Sequence, residues 1–123
     1  MQKLFFLMVS VLLGISTYAQ SNNDKILGKW TNEDKSRVIE FVKNGSSYDA
    51  IINKAESSSL VGKKQITALK HSKENHYTDG TLHIIQKGKT ASCSAKLVSD
   101  TKLALKASIG FMSKTQVWTK LTN

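Results

Sequence analysis

The side chains that ordinarily do acid–base, nucleophilic or metal chemistry are sparse in this 123-residue chain: three histidines, one cysteine and nine Asp and Glu. His71, His76 and His83 have no Asp, Glu or Ser at a spacing that suggests a triad, although a triad is assembled in space and not along the chain. His71 and His76 flank the polar stretch 72–75 and can approach each other across a hairpin tip. A metal ion there would need a third ligand such as Glu74, and histidines on a solvated loop are the commoner case. Cys93 stands alone, which excludes an internal disulfide and a multi-cysteine zinc module. The glycine fingerprints of nucleotide-binding folds are absent. The expectation is a non-enzyme with no catalytic residue, no metal ligand and no cofactor.

Charged residues inside apolar strands are more informative. The stretch 36–42 (SRVIEFV) places Arg37, Ile39 and Phe41 on one face and Val38, Glu40 and Val42 on the other. Both faces are apolar, so either Arg37 or Glu40 sits among apolar neighbours or at a rim. An unpaired buried charge is costly and calls for a partner or a ligand group. Two readings follow, a polar anchor inside a cavity and an ion pair at the rim. The second is the commoner arrangement.

The elements that must hold these residues are strands. Residues 29–32, 36–42, 47–54, 64–70, 75–78, 81–86, 90–98, 101–109 and 114–121 alternate with turn residues, and no helical period survives beyond residue 20. Asn44-Gly45 suits a two-residue hairpin, since both central positions of a type I′ turn need positive φ. Asp79-Gly80 and Lys87-Gly88 are read as further turns, and residues 55–62 as a loop. In 90–97 the odd positions are apolar, which puts the Cys93 thiol on the inner face as a small hydrophobe. Intermolecular pairing of that thiol stays open. The fold class is all-β: a single antiparallel up-and-down β-barrel of about eight strands, which removes its edges by closing.

The N-terminus gives an address. One lysine, a twelve-residue apolar run from Leu4 to Ile15, and the small −3/−1 pair Thr17 and Ala19 form an export signal over residues 1–19, cut before Gln20. The run is too short to span a bilayer as a helix, and no later segment is apolar enough to do so. The expected organisation is a signal peptide at 1–19, a flexible leader at 20–25 and a barrel domain at 26–123. The destination is the periplasm or the extracellular space.

Lys and Arg outnumber Asp and Glu by 18 to 9. The bases are nearly all lysines spread along every strand, and six aromatics remain beyond the signal. Single-strand nucleic-acid binders need exposed stacking platforms, so no specific nucleic-acid partner is expected. Outer-face lysines also discourage edge pairing, with weak attraction to anionic envelope surfaces as a consequence.

Several stretches resemble a known family. Gly28-Lys29-Trp30 is similar to the Gly-x-Trp of lipocalin-like (calycin) barrels. Closer still, Gly28-x-Trp30, residues 37–41 (RVIEF), 60–63 (LVGK), Asp79-Gly80, Gly88-Lys89, Ser92-Cys93, Leu103-x-Leu105, Ile109-Gly110 and the ending 114–118 (KTQVW) resemble the bacterial domain of unknown function 2147. The resemblance implies a small exported lipocalin-like barrel without assigned chemistry. It further implies that Gly28, Trp30, Lys114, Gln116 and Trp118 form a structural plug, with Lys114 lying over Trp30 as a cation–π lid in place of the family's Arg. Three departures, His83-Ile84-Ile85 for a Tyr-Asp-Pro turn, Lys106-Ala107-Ser108 for Arg-Gly-Tyr, and a shortened segment before Thr115, remove polar groups the family possesses.

Eight strands enclose an interior that side chains just fill, or that holds one small ligand. The inward sets mix large residues with small ones such as Ala91, Cys93, Ala95 and Ala107, which leaves room on one side. A small hydrophobic or amphipathic ligand is therefore expected inside, against Arg37, Phe41, Tyr48, Ile52, Cys93 and Leu105. The alternative is a cell-envelope interaction module with a filled barrel, acting through an exposed patch around Phe111 and Met112. Oligomeric state is not legible.

Overall fold

In a computed structural model, residues 22–122 are described; the export signal and its cut before Gln20 lie outside them. Eight strands close into one antiparallel barrel in sequence order. They are β1 (Gly28–Thr31), β2 (Val38–Asn44), β3 (Ser47–Lys54), β4 (Lys64–Lys73), β5 (His76–Ile84), β6 (Lys89–Ser99), β7 (Lys102–Ile109) and β8 (Met112–Lys120). Single 3₁₀ turns occupy Asn22–Ile26, Ser58–Leu60 and Ile85–Lys87. The alternation read from sequence is the observed one: on β6, Ala91, Cys93, Ala95 and Leu97 are buried while Ser92, Lys96 and Val98 are exposed.

One expected turn is a bulge. Asp79-Gly80 does not reverse the chain; it lies inside β5, where the pairing with β6 shifts between Tyr77 and Gly80. Asp79 takes φ 64°, which Asp tolerates better than most residues. A Cβ on Gly80 would stand 2.8 Å from Leu69 Cδ1 and 3.2 Å from the Cys93 carbonyl. The bulge thus needs glycine for room, and it bends β5 around the barrel. The true reversal is at residues 74–75, with Glu74 at φ 47°, and it joins two strands longer than the fragments expected there.

Asp49 marks a second irregularity, where the β3–β4 register shifts between Tyr48 and Ala50. Its buried carboxylate accepts the Ala68 N–H at 3.0 Å, Lys64 Nζ at 2.9 Å and Asn44 Nδ2 at 2.8 Å. A side chain here takes over bonds that the interrupted ladder does not make. Burial opposes ionisation of Asp49, but these three donors outweigh it and hold the pKa below the usual carboxylate value.

One end of the barrel is solid. Trp30 is fully buried there, its Nε1–H donating to the Ile26 carbonyl at 2.9 Å. Phe41, Tyr48, Tyr77, Leu69, Leu97 and Leu103 belong to the same buried cluster. The segment expected as a flexible leader is partly fixed, because Asn22–Ile26 folds across this end. The hydroxyls of Tyr48 and Tyr77 each lie 2.8 Å from the Asn23 carbonyl, and Asp24 pairs with Lys43 at 3.2 Å. Those partners come from β2, β3 and β5, so local composition gave no sign of them.

Candidate functional site

The other half of the barrel is hollow. A cavity of about 380 Å³ opens between the β1–β2, β3–β4, β5–β6 and β7–β8 connections. Ile39, Ile66, Cys93, Leu105 and Trp118 line it and are buried, so they form its floor and lower wall. The two 3₁₀ turns near the mouth each send one apolar side chain inward, Leu60 and Ile85. Exposed lining residues, Glu56, Gln86, Lys106, Lys114 and Gln116, form the rim.

Alternation along β8 explains part of this division. Lys114, Gln116 and Trp118 share a face, and that face turns into the cavity. Only Trp30 and Thr31 of β1 pair with β8, opposite Lys120 and Thr119. Residues 112–118 therefore have β7 on one side and no ladder to β1 on the other, and the wall is low there. Cavity-facing Lys114 and Gln116 are exposed for this reason.

Arg37 resolves the sequence ambiguity. It, and not Glu40, shares the inward face with Ile39 and Phe41, and it lines the cavity at the rim. Its Nη1 donates to Gln65 Oε1 at 2.5 Å and its Nη2 pairs with Glu56 at 2.9 Å. Gln65, itself buried, donates to the His83 carbonyl at 2.8 Å. The guanidinium is thereby both a rim ion pair and a fixed polar group over an apolar floor. Its partner Glu56 is 57% exposed, so the pair itself adds little stability. Glu40 faces outward and accepts Asn53 Nδ2 at 3.0 Å.

Of the residues expected around a ligand, the structure brings Arg37, Cys93 and Leu105 to the cavity. Phe41, Tyr48 and Ile52 are not on its surface; Phe41 and Tyr48 lie on β2 and β3 nearer the plugged end, and Ile52, opposite Ile39, is packed in the core behind the cavity wall. Sequence reasoning missed Leu60, Leu82, Ile85 and Gln65. The first and third lie in stretches read as a loop and a strand end, and nothing local marks a loop residue that folds inward. Burial pushes the Cys93 thiol up to about 11, so it is neutral and packs as a small wall residue.

The plug also differs in its parts. Lys120, not Lys114, lies over Trp30, with Nζ 5.4 Å from the ring centroid. Lys114 is opposite Ala107 and reaches the cavity mouth. The reason is register: β8 meets β1 only at its C-terminal end, six residues beyond Lys114. Gly28, with φ 116°, lets the chain pass beneath that lysine, whose Cε would be 3.5 Å from a Cβ there. Gln116 lines the cavity at its rim, and Trp118, buried opposite Leu103, forms part of the core beneath it.

The histidines do not converge. His71 Nε2 donates to the Glu74 carbonyl at 2.7 Å, and His83 Nε2 lies 2.9 Å from Thr67 Oγ1. Among the described residues no three His, Cys, Asp or Glu side chains are grouped closely enough to hold a metal ion. No described helix is long and apolar enough to cross a membrane.

A closed eight-stranded antiparallel barrel, plugged at one end by a tryptophan under a basic residue and hollow at the other, is a lipocalin-like fold. Protein HP1028 from the human pathogen Helicobacter pylori, described as belonging to the lipocalin family, is similar in structure: TM-score 0.67 and 18% identity, over 80% of this chain and 84% of that one. Comparison with curated proteins gives no match. The chain belongs to the family of uncharacterized proteins conserved in bacteria (DUF2147), which matches residues 28–120.

Proposed function

We propose that this protein is an exported, non-enzymatic carrier of a small amphipathic molecule, whose apolar part occupies the hollow half of the barrel. The observation that carries this reading is the cavity of about 380 Å³ with a buried apolar floor and a polar rim. Small-molecule sites span about 300–1,000 Å³ and combine such walls with a few placed polar groups. Arg37 and Lys114 face the opening against one acid, Glu56, which favours a ligand with an anionic end. Because Arg37 is already held by Gln65, a carboxylate or sulfonate meets a guanidinium that needs little ordering. The N-terminal export pattern and the lysine-rich surface support a place in the periplasm or outside the cell.

The test is titration with the fluorescent probe 1-anilinonaphthalene-8-sulfonate, followed by displacement with decanoate and with decanol. Saturable binding is expected, reversed at lower concentration by decanoate than by decanol. The variant Ala107→Trp places an indole in the cavity and should abolish the signal. Absence of probe binding to the wild type, or equal binding by Ala107→Trp, would overturn the reading.

A further inference from the structure

The β7–β8 turn carries the most exposed apolar side chains of the barrel. Phe111 is fully exposed, Met112 is 80% exposed and Ile109 is 53% exposed. Among the described residues, none covers Phe111 or Met112. Gly110 (φ 57°) precedes Phe111, the order of a type II′ turn with glycine first, so the phenyl ring is held at the very tip of a two-residue hairpin. A lone surface apolar residue needs no explanation, but three adjacent ones at a loop tip mark an interaction site.

The charge around the tip identifies its partner. From Gly80 to the C-terminus the chain contains seven lysines and a single acid, Asp100. Asp100 sits in the β6–β7 turn at the plugged end, away from the mouth. Ser92 pairs with Ser108, so continuing that register sets Lys89 level with the β7–β8 tip. Lys87 and Lys89 on the neighbouring turn, with Lys106 and Lys114 on the hairpin itself, are all exposed. An apolar tip encircled by lysines complements a surface with negative charge outside and hydrocarbon beneath.

We propose that the open end of the barrel docks on anionic lipid bilayers, with Phe111 and Met112 inserted at the headgroup boundary and the lysines against lipid phosphates. Apolar insertion and electrostatic attraction add in such interfacial binding. Docked in this way, the cavity mouth faces the membrane. The inference stands whether or not the cavity is occupied.

Co-sedimentation of the purified protein with phosphatidylglycerol–phosphatidylcholine vesicles tests it, with pure phosphatidylcholine vesicles as the neutral reference. Binding is expected to the anionic vesicles, weakening as salt screens the lysines. The double variant Phe111→Ser, Met112→Ser should lose about tenfold or more in partitioning, with an unchanged unfolding midpoint because neither side chain is packed. Replacing Lys87 and Lys89 by Gln should cost about fivefold per lysine. Failure to bind anionic vesicles, or equal binding by the double variant, would overturn the proposal. So would a concentration-dependent dimer in sedimentation velocity that the double variant abolishes, since the tip would then be covered by a second copy of the chain.

Discussion

Tyr48 and Tyr77 meet edge to face, with ring centroids 5.6 Å apart and planes at 84°, and both hydroxyls lie 2.8 Å from one backbone carbonyl, that of Asn23. Two strands that are not neighbours thus hold the same turn of chain. This closes one end of the barrel, opposite the mouth of the cavity described above. Tyr77→Phe should lower stability by about 1 kcal/mol, the usual worth of one such bond, and Tyr48→Phe, whose hydroxyl also lies 2.7 Å from the Asp24 carboxylate, by somewhat more. Urea unfolding would measure this. The two losses should fall short of additive, because the partners share an acceptor.

Lys120 and Lys114 provide a contrast between support and site. Lys120→Gln removes the cation over Trp30 and should cost about 0.5–1 kcal/mol in stability, with decanoate binding unchanged. Lys114→Gln should leave the unfolding midpoint within the scatter of a surface substitution while weakening decanoate relative to decanol. Thermal unfolding and probe displacement on the same two variants separate the roles.

Stability should form a plateau in pH bounded by named groups. The Tyr48 hydrogen bond holds the Asp24 pKa below the usual aspartate value, and Asp49 is lowered as well by its donors despite burial. A lowered folded pKa means the unfolded chain binds more protons in that window. The stabilisation is then present above about pH 4 and lost as pH falls through the folded values. Burial, chiefly, raises the pKa of Tyr48 and Tyr77 above 10, so their contribution is present below pH 10 and lost as pH rises further. Urea midpoints across pH should show both limbs. Asp49→Asn should flatten the acid limb, and Tyr48→Phe the alkaline one.

Much of this architecture was legible in the residues because alternation is a local signal. The inward set Tyr48, Ala50, Ile52 and the outward-facing lysines follow from period two alone. Asp79-Gly80 misled because Asp-Gly has the same conformational freedom in a bulge as in a turn, and only the room left by Leu69 and Cys93 distinguishes them. The cavity was half legible. Small residues on β6 and β7 announced space, and Arg37 announced a polar group, but which end of the barrel is hollow depends on register. Register placed Phe41 and Tyr48 in the solid half and Lys114 at the mouth, and it is a property of paired strands, not of one strand's composition. Leu60 and Ile85 reach the cavity from single 3₁₀ turns, where no period exists to read.

The central claim is that the hollow half of the barrel carries a cargo. Native mass spectrometry of the protein purified under non-denaturing conditions from the cells that produce it natively measures this directly. The account predicts a species heavier than the chain by one small molecule, shed on denaturation and missing from Ala107→Trp. A wild-type spectrum showing the bare chain alone would contradict it.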